Sequence, residues 1–256
     1  MYPRIYSDNF VNKDDIITVS SGNAVKGYLY DRKKITRWVS VGETDENGDY
    51  STSIIVEFRQ DGYSPSPLSH TFDSFVLLNT NLKDFKLQYW TGSSWQNVPA
   101  TVITNNTGST VIISFTSNPV GSTKVKLLMD KTIIPNQEKA VGELLIMSFK
   151  FELKDILVGH NRKDWEKSGN YRLADGTPET WLETSKFALS QSLRNVNGTL
   201  RNKLKDLKDS RENFYIYPDG EVWPDDLFLV YWLGEWGQEY QYKIGLYTIE
   251  FAIEEV

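Results

Sequence analysis

Asn81-Leu82-Lys83-Asp84-Phe85-Lys86-Leu87-Gln88-Tyr89-Trp90-Thr91-Gly92 is the stretch on which the reading of the chain turns. Phe85, Leu87 and Tyr89 alternate with Lys86, Gln88 and Trp90. A period of two sends the two sets to opposite faces, which is the pattern of a half-buried strand. Thr91-Gly92-Ser93-Ser94 then supplies a turn that leads to Trp95.

Working outward, the same rhythm recurs. Ile16-Ile17-Thr18-Val19 and Ser53-Ile54-Ile55-Val56-Glu57-Phe58 precede it, the second closed by the breaker Asp61-Gly62-Tyr63-Ser64-Pro65-Ser66-Pro67. Phe75-Val76-Leu77-Leu78 is a continuous apolar run of buried-strand length. Val111, Ile113 and Phe115 alternate after Asn105-Asn106-Thr107-Gly108, and Val125, Leu127 and Met129 close the series. Short strands at regular spacing with polar turns predict a mainly β protein whose N-terminal part is an antiparallel sandwich.

Asp130–Gly142 interrupts the rhythm with Pro135-Asn136-Gln137-Glu138-Lys139. The expectation is a first domain over 1–130, a linker over 131–142 and a smaller α+β domain over 143–256, with one or two helices. Leu145, Met147, Phe149, Phe151 and Leu153 sit at period two and predict a strand that opens the second domain. Leu193, Val196, Leu200, Leu204 and Leu207 are spaced three, four, four and three apart, one face of an amphipathic helix. Gly198 weakens that helix, so a break or a start near Asn197 is an alternative. A second helical segment is expected around Trp181–Leu189. Asp226–Leu233 and the alternation of Tyr247, Ile249, Phe251 and Ile253 predict two closing strands.

The order of features in residues 25–130 resembles the discoidin-like, galactose-binding-like jelly roll. Leu29-Tyr30-Asp31 through Thr36-Arg37-Trp38 carries the likeness, followed by Ile54–Phe58, Phe75–Leu78, Asn81–Gly92 and Lys124-Val125-Lys126-Leu127. Residues 140–256 resemble domains of bacteriophage tail and baseplate proteins. That likeness rests on Val141-Gly142-Glu143-Leu144-Leu145, on Tyr171-Arg172-Leu173-Ala174-Asp175-Gly176 and on the closing Leu246–Glu255.

Composition narrows the classes. The 256 residues are 39% hydrophobic and 24% charged, values of a folded chain able to bury a core. The 8 Trp and 14 Tyr suit sheets, interfaces and sugar-stacking platforms alike. Lys and Arg against Asp and Glu number 12 and 13 in residues 1–130, then 16 and 21 in residues 131–256, for a net charge of −6. Neither part is a phosphate trap, so nucleic acid is not an expected partner. Without cysteine there is no disulfide framework and no thiolate site. Met1–Asp15 has no apolar signal-peptide core and no run reaches membrane-spanning length. The expected location is the virion, after folding in the host cytoplasm, with no membrane insertion.

No motif names a catalytic group, and no cofactor or metal ligand set is spelled out. His70 and His160 lie far apart without ligand spacing. Asp225-Asp226 and Glu254-Glu255 are adjacent, and neighbours on a strand face opposite ways, so neither pair can flank one glycosidic bond. Asp45, Glu46 and Asp49 around Gly48 read either as calcium-binding loop oxygens or as solvated turn acids. The jelly-roll likeness implies a ligand surface in the loops at one end of the sandwich. Tyr28, Tyr30, Asp31, Arg32 and Arg37 fall in the first long loop and Tyr50 in the next, aromatic faces beside charges suited to a sugar. The competing reading has Tyr30 and Trp38 plugging the core.

Between Leu193 and Arg211 the helix carries six basic residues and two acidic ones. Arg201, Lys205 and Lys208 read as an interface toward a neighbouring copy, as a face laid against an anionic membrane or as a merely solvated polar face, and Trp236 in the turn Gly234-Glu235-Trp236-Gly237 is the expected exposed anchor of an interface. The leading expectation is a non-catalytic component of a phage tail or baseplate, in a ring-like homo-oligomer with other tail proteins. In it the jelly roll decorates the particle or touches host-surface carbohydrate. The alternative is a stand-alone carbohydrate-binding module, and the third is a β-rich polysaccharide hydrolase.

Overall fold

The computed structural model describes residues 3–21, 26–33, 36–42, 52–60, 66–153, 162–165, 168–172, 178–182, 186–218, 227–241 and 245–256. The chain divides into two units, Asn9–Phe149 and a second made of Met1–Asp8 with Lys150–Val256. Among the described residues the paired strands are antiparallel and mainly β structure is joined by one α-helix, within the expected one or two.

Among the described residues of the Asn9–Phe149 unit the strands form a five-stranded sheet, a three-stranded sheet and two two-stranded ones. The first runs Ile16–Val19, Thr52–Glu57, Lys124–Thr132, Leu82–Trp90 and Trp95–Ile103 in spatial order, and the second runs Glu143–Met147, Ser74–Leu78 and Val111–Ser114. Ile54, Val56, Phe85, Leu87, Val125 and Leu127 from the first share one buried core with Phe75, Leu77, Leu144 and Ile146 from the second. Fully burying each such side chain contributes about 1.5–3 kcal/mol, and a slip of one residue would turn a whole strand inside out, so the core fixes the register. Trp38 is buried to 0% exposure and Tyr30 packs against the same core, so these two do plug the sandwich.

The expected boundary falls inside this unit. Ala140–Val141 pairs with Trp38–Val39, and Glu143–Met147 pairs with Ser74–Leu78. The stretch 131–142 therefore lies within one sandwich, running from the end of Lys124–Thr132 through a connection to the short strand Ala140–Val141. At Gly142 a Cβ would stand 2.8 Å from both Asn79 Cβ and Leu78 O, so only glycine fits this close approach. Asn9 seals the free edge of Glu143–Met147: its Nδ2 donates to Leu144 O at 3.1 Å and its Oδ1 accepts from Ile146 N at 2.9 Å. The period-two run from Leu145 to Leu153 is two strands, Glu143–Met147 and Phe149–Glu152, the second of which pairs in the other unit's sheet.

The second unit is built on an eight-stranded sheet. Its main path runs Phe149–Glu152, Arg4–Tyr6, Phe214–Tyr217, Phe228–Trp232, Leu246–Glu255, Lys186–Val196 and Arg162–Trp165, with Gln238–Gln241 also paired to Leu246–Glu255. The N-terminal strand thus belongs here, although the sequence reading assigned it to the first domain. The helix spans Gly198–Ser210, with Asn197 as its N-cap accepting from Leu200 N at 2.9 Å. Leu200, Leu204 and Leu207 face the sheet.

Two helical expectations are corrected. The segment around Trp181–Leu189 contains strands Pro178–Leu182 and the start of Lys186–Val196. Leu193 and Val196 belong to that last strand, opposite Ile249 and Tyr247, with a register shift between them. Asn195 there has φ 59°, and the extra residue returns Val196 to the core face beside Leu193. A β-bulge imitates helical spacing.

Candidate functional site

The loop expected to hold a ligand spends its polar groups on itself. Asp31 Oδ1 accepts from Lys33 N at 2.9 Å and from Thr36 Oγ1 at 2.9 Å, which closes an Asx turn. Tyr28 lies on a 3-10 turn, Lys26–Leu29, and is half-buried. Tyr30 is turned to the core, while Arg32, at φ 62°, and Arg37 are exposed. Tyr50, and with it Asp45, Glu46 and Asp49, lies outside the described residues. Aromatic face and free acid are therefore not brought together among the described residues of this loop.

A stronger constellation lies on the outer face of the five-stranded sheet. Leu87 and Tyr89 point into the core, so Lys86, Gln88 and Trp90 point out. Register carries the same face across neighbouring strands: Trp90 stands opposite Trp95, Gln88 opposite Asn97 and Lys126, and Lys86 opposite Leu128. The four-residue connection is stiff. Thr91 N donates to Ser94 O at 3.0 Å, Ser94 N donates to Thr91 Oγ1 at 3.2 Å, and Gly92 takes φ 97°. Buried Ser122 holds the start of the hairpin, its Oγ accepting from Trp90 N at 3.1 Å and lying 2.9 Å from Trp90 O.

The result is a half-buried indole pair with ring centroids 5.3 Å apart and planes tilted by 59°. Lys126 Nζ stands 4.5 Å from the Trp95 ring centroid, a cation–π contact. Gln88 Nε2 donates to Asn97 Oδ1 at 2.9 Å one step inward, which leaves amide hydrogen-bonding capacity at the surface. Partial burial, and secondarily the charge of Lys86, holds the Lys126 ammonium below the usual lysine range. Beside it Lys124 is engaged by Glu57 at 2.6 Å, and Glu57 also pairs with Arg59. Trp90 and Trp95 are not among the residues expected from the sequence to form a site, yet their signal is present there: two tryptophans flank a four-residue turn at mirrored positions, which makes them cross-strand partners.

In the second unit the expected interface residues reach into their own unit. Arg201 Nε donates to Gln238 Oε1 at 2.8 Å, and its guanidinium lies 5.5 Å from the Tyr247 ring centroid. Lys208 Nζ donates to Gly234 O at 3.0 Å, and Lys205 pairs with Asp209 one turn along the helix. Trp236, expected as an exposed anchor, is half-buried against the core with its ring centroid 5.8 Å from that of Trp232. A shallow cleft of about 270 Å³ beside the helix is lined by Lys150, Phe151, Lys203, Asp206, Leu207 and Glu212, a mixed set of charges. Among the described residues no cluster of three or more His, Asp or Glu could hold a metal, and no helix is long and apolar enough to cross a membrane.

No family model matches the chain and no curated protein matches it. Its structure is similar to that of a chitosan-binding module from a chitosanase/glucanase of Paenibacillus sp., at 16% identity and a TM-score of 0.44, over 56% of this chain and 99% of that one. A family 32 carbohydrate-binding module of Clostridium perfringens, solved with galactose, is similar at 12% identity and a TM-score of 0.41, over 57% and 99%. A fucosidase of Ruminococcus gnavus, solved with fucose, is similar at 14% identity and a TM-score of 0.42, over 56% of this chain and 27% of that one. Nothing in these likenesses supports the expected tail or baseplate role, its ring assembly or its virion location.

Proposed function

We propose that the chain is a glycan-binding protein and that the outer sheet face at Trp90 and Trp95 is where it binds. The observation that supports this reading is the outward indole pair on a braced hairpin. A pyranose ring has an apolar C–H face and a rim of hydroxyls, so it needs a flat aromatic surface next to directed polar groups. Trp90 and Trp95 supply the first, and the Gln88 and Asn97 amides supply the second. Because Ser122 and the Thr91–Ser94 bonds fix the hairpin before a ligand arrives, little ordering cost falls on binding.

The test is affinity electrophoresis of the full chain through gels containing soluble polysaccharides, backed by a glycan array. Trp95→Ala and Trp90→Ala are expected to weaken binding at least about tenfold, or about 1.4 kcal/mol, with thermal unfolding little changed. Arg37→Ala should leave it intact. If Arg37→Ala abolishes binding and Trp95→Ala does not, the site is in the end loop. If no polysaccharide retards the folded chain, the glycan reading fails.

A further inference from the structure

We infer that the ligand of this face is an anionic glycan, its sugar ring against Trp90 and Trp95 and its acid group held between Lys126 and Lys86. This rests on the glycan reading above and adds the charge of the ligand. Besides Lys131, which pairs with Asp84 at 3.7 Å, three cations punctuate the face: Lys124, Lys126 and Lys86. The first is already satisfied by Glu57, and that carboxylate is satisfied in turn by Arg59. No carboxylate partner is described for the other two.

Lys126 and Lys86 are diagonal neighbours, since Lys126 stands opposite Gln88 and Lys86 is two residues further along the same strand face. Like charges at that spacing repel one another, and Lys126 is drawn partly out of water over the Trp95 ring. An anion placed between them would relieve both costs at once. Trp90, Gln88 and Lys86 succeed one another along one face and span roughly 13 Å. That span gives an extended chain room to lay one ring on the indoles and present an acid group to the lysines. A neutral sugar would leave the two ammonium groups as they are. A polyanion without C–H faces would leave the indoles unused.

The experiment is calorimetric titration of the full chain with polygalacturonate, with the same polymer fully methyl-esterified, with a sulfated galactan and with a single-stranded oligonucleotide. Expected is binding of the acidic polymer about tenfold tighter than its ester, the worth of one charge-assisted contact. That advantage should shrink as salt rises from about 0.05 to about 0.5 M. Lys126→Gln and Lys86→Gln should each cut the preference for acid over ester about threefold, while Trp95→Ala should weaken both polymers. Preference for the sulfated polymer over the uronate would support the inference with sulfate as the acid. Equal binding of acid and ester would overturn it while the glycan reading stands, and binding of neither polysaccharide class would overturn both. Retention of acid binding by Trp95→Ala, or tighter binding of the oligonucleotide, would also overturn it.

Discussion

Among the described residues two tryptophan pairs, each near a hairpin and a basic side chain, are used in opposite ways. Trp90 and Trp95 lie on the outer face of a sheet whose core side is filled by Leu87 and Tyr89. Trp232 and Trp236 pack against the second unit's core, and Trp232 meets Phe251 edge-on with centroids 4.9 Å apart. Their Nε1 groups are buried without a hydrogen-bond partner, a cost that packing must offset. The cations differ in the same sense. Lys126 stays over an indole at the surface, whereas Lys208 donates to the backbone carbonyl of Gly234. Composition around a tryptophan pair therefore does not assign its duty. The face on which the strand register places it does.

Large-to-small substitution separates the two duties most sharply. Trp232→Ala should cost about 2–4 kcal/mol, since it removes a ring from a packed cluster and leaves a cavity beside Phe251. Trp95→Ala should cost less than about 1 kcal/mol, because a side chain on an open sheet face gives up mainly its cross-strand contact. Chemical denaturation of the two variants against the parent reads the difference. Equal losses would show that the Trp90–Trp95 pair is structural and would remove the basis of the proposed site.

Several of the first unit's strands are legible because one face of each is buried, so Phe85-Lys86-Leu87-Gln88-Tyr89 announces itself by period alone. The exceptions have particular causes. Glu143–Met147 is buried on both faces and follows a polar loop, so nothing local ties it to Ser74–Leu78, its distant partner. Arg4–Tyr6 joins Phe214–Tyr217 more than two hundred residues away, a pairing no window along the chain can register. Leu193 and Val196 looked helical because a bulge adds one residue to a period of two. At the candidate site, the alternation that sends Trp90 outward and the mirrored Trp95 could both be read. Missing was the pairing of Leu82–Trp90 with Lys124–Thr132, which brings Lys126 over the indole.

Acid should act on the first unit through His70. Its ring stacks on Phe10 at 4.3 Å and meets Phe58 edge-on at 5.0 Å, and this burial lowers its pKa from 6.5. The unfolded chain then binds the proton more readily than the folded one, so stability rises with pH across the gap between the two values. Stability is expected to fall as the pH drops below about 6.5 and to level off once the folded form also protonates. His70→Phe keeps the ring contacts and should flatten that limb of a thermal-unfolding profile. A profile in which the variant and the parent fall together would assign the acid sensitivity to other groups.

The smallest effect compares the bulge at Asn195 with the register shift in Trp95–Ile103, where the step from Asn97 to Val102 stands against the step from Gln88 to Lys86. Ala100 takes φ 59° in Trp95–Ile103, next to Thr101, whose Oγ1 donates to Val98 O at 2.9 Å and lies 3.1 Å from Leu87 O. Asn195 takes the same φ, 59°, in Lys186–Val196. A left-handed backbone costs an alanine about 1–2 kcal/mol, while asparagine enters that region far more readily. Glycine removes the strain at either position but adds about 0.5–1 kcal/mol of chain entropy to the unfolded state. Ala100 is exposed, so no packing is lost with its methyl group. Ala100→Gly should therefore stabilise by up to about 1 kcal/mol, and Asn195→Gly should be neutral or slightly destabilising. Denaturant midpoints of the two variants measure this. If Ala100→Gly instead destabilised, the methyl group would be holding the register shift, and with it the hairpin that presents Trp95.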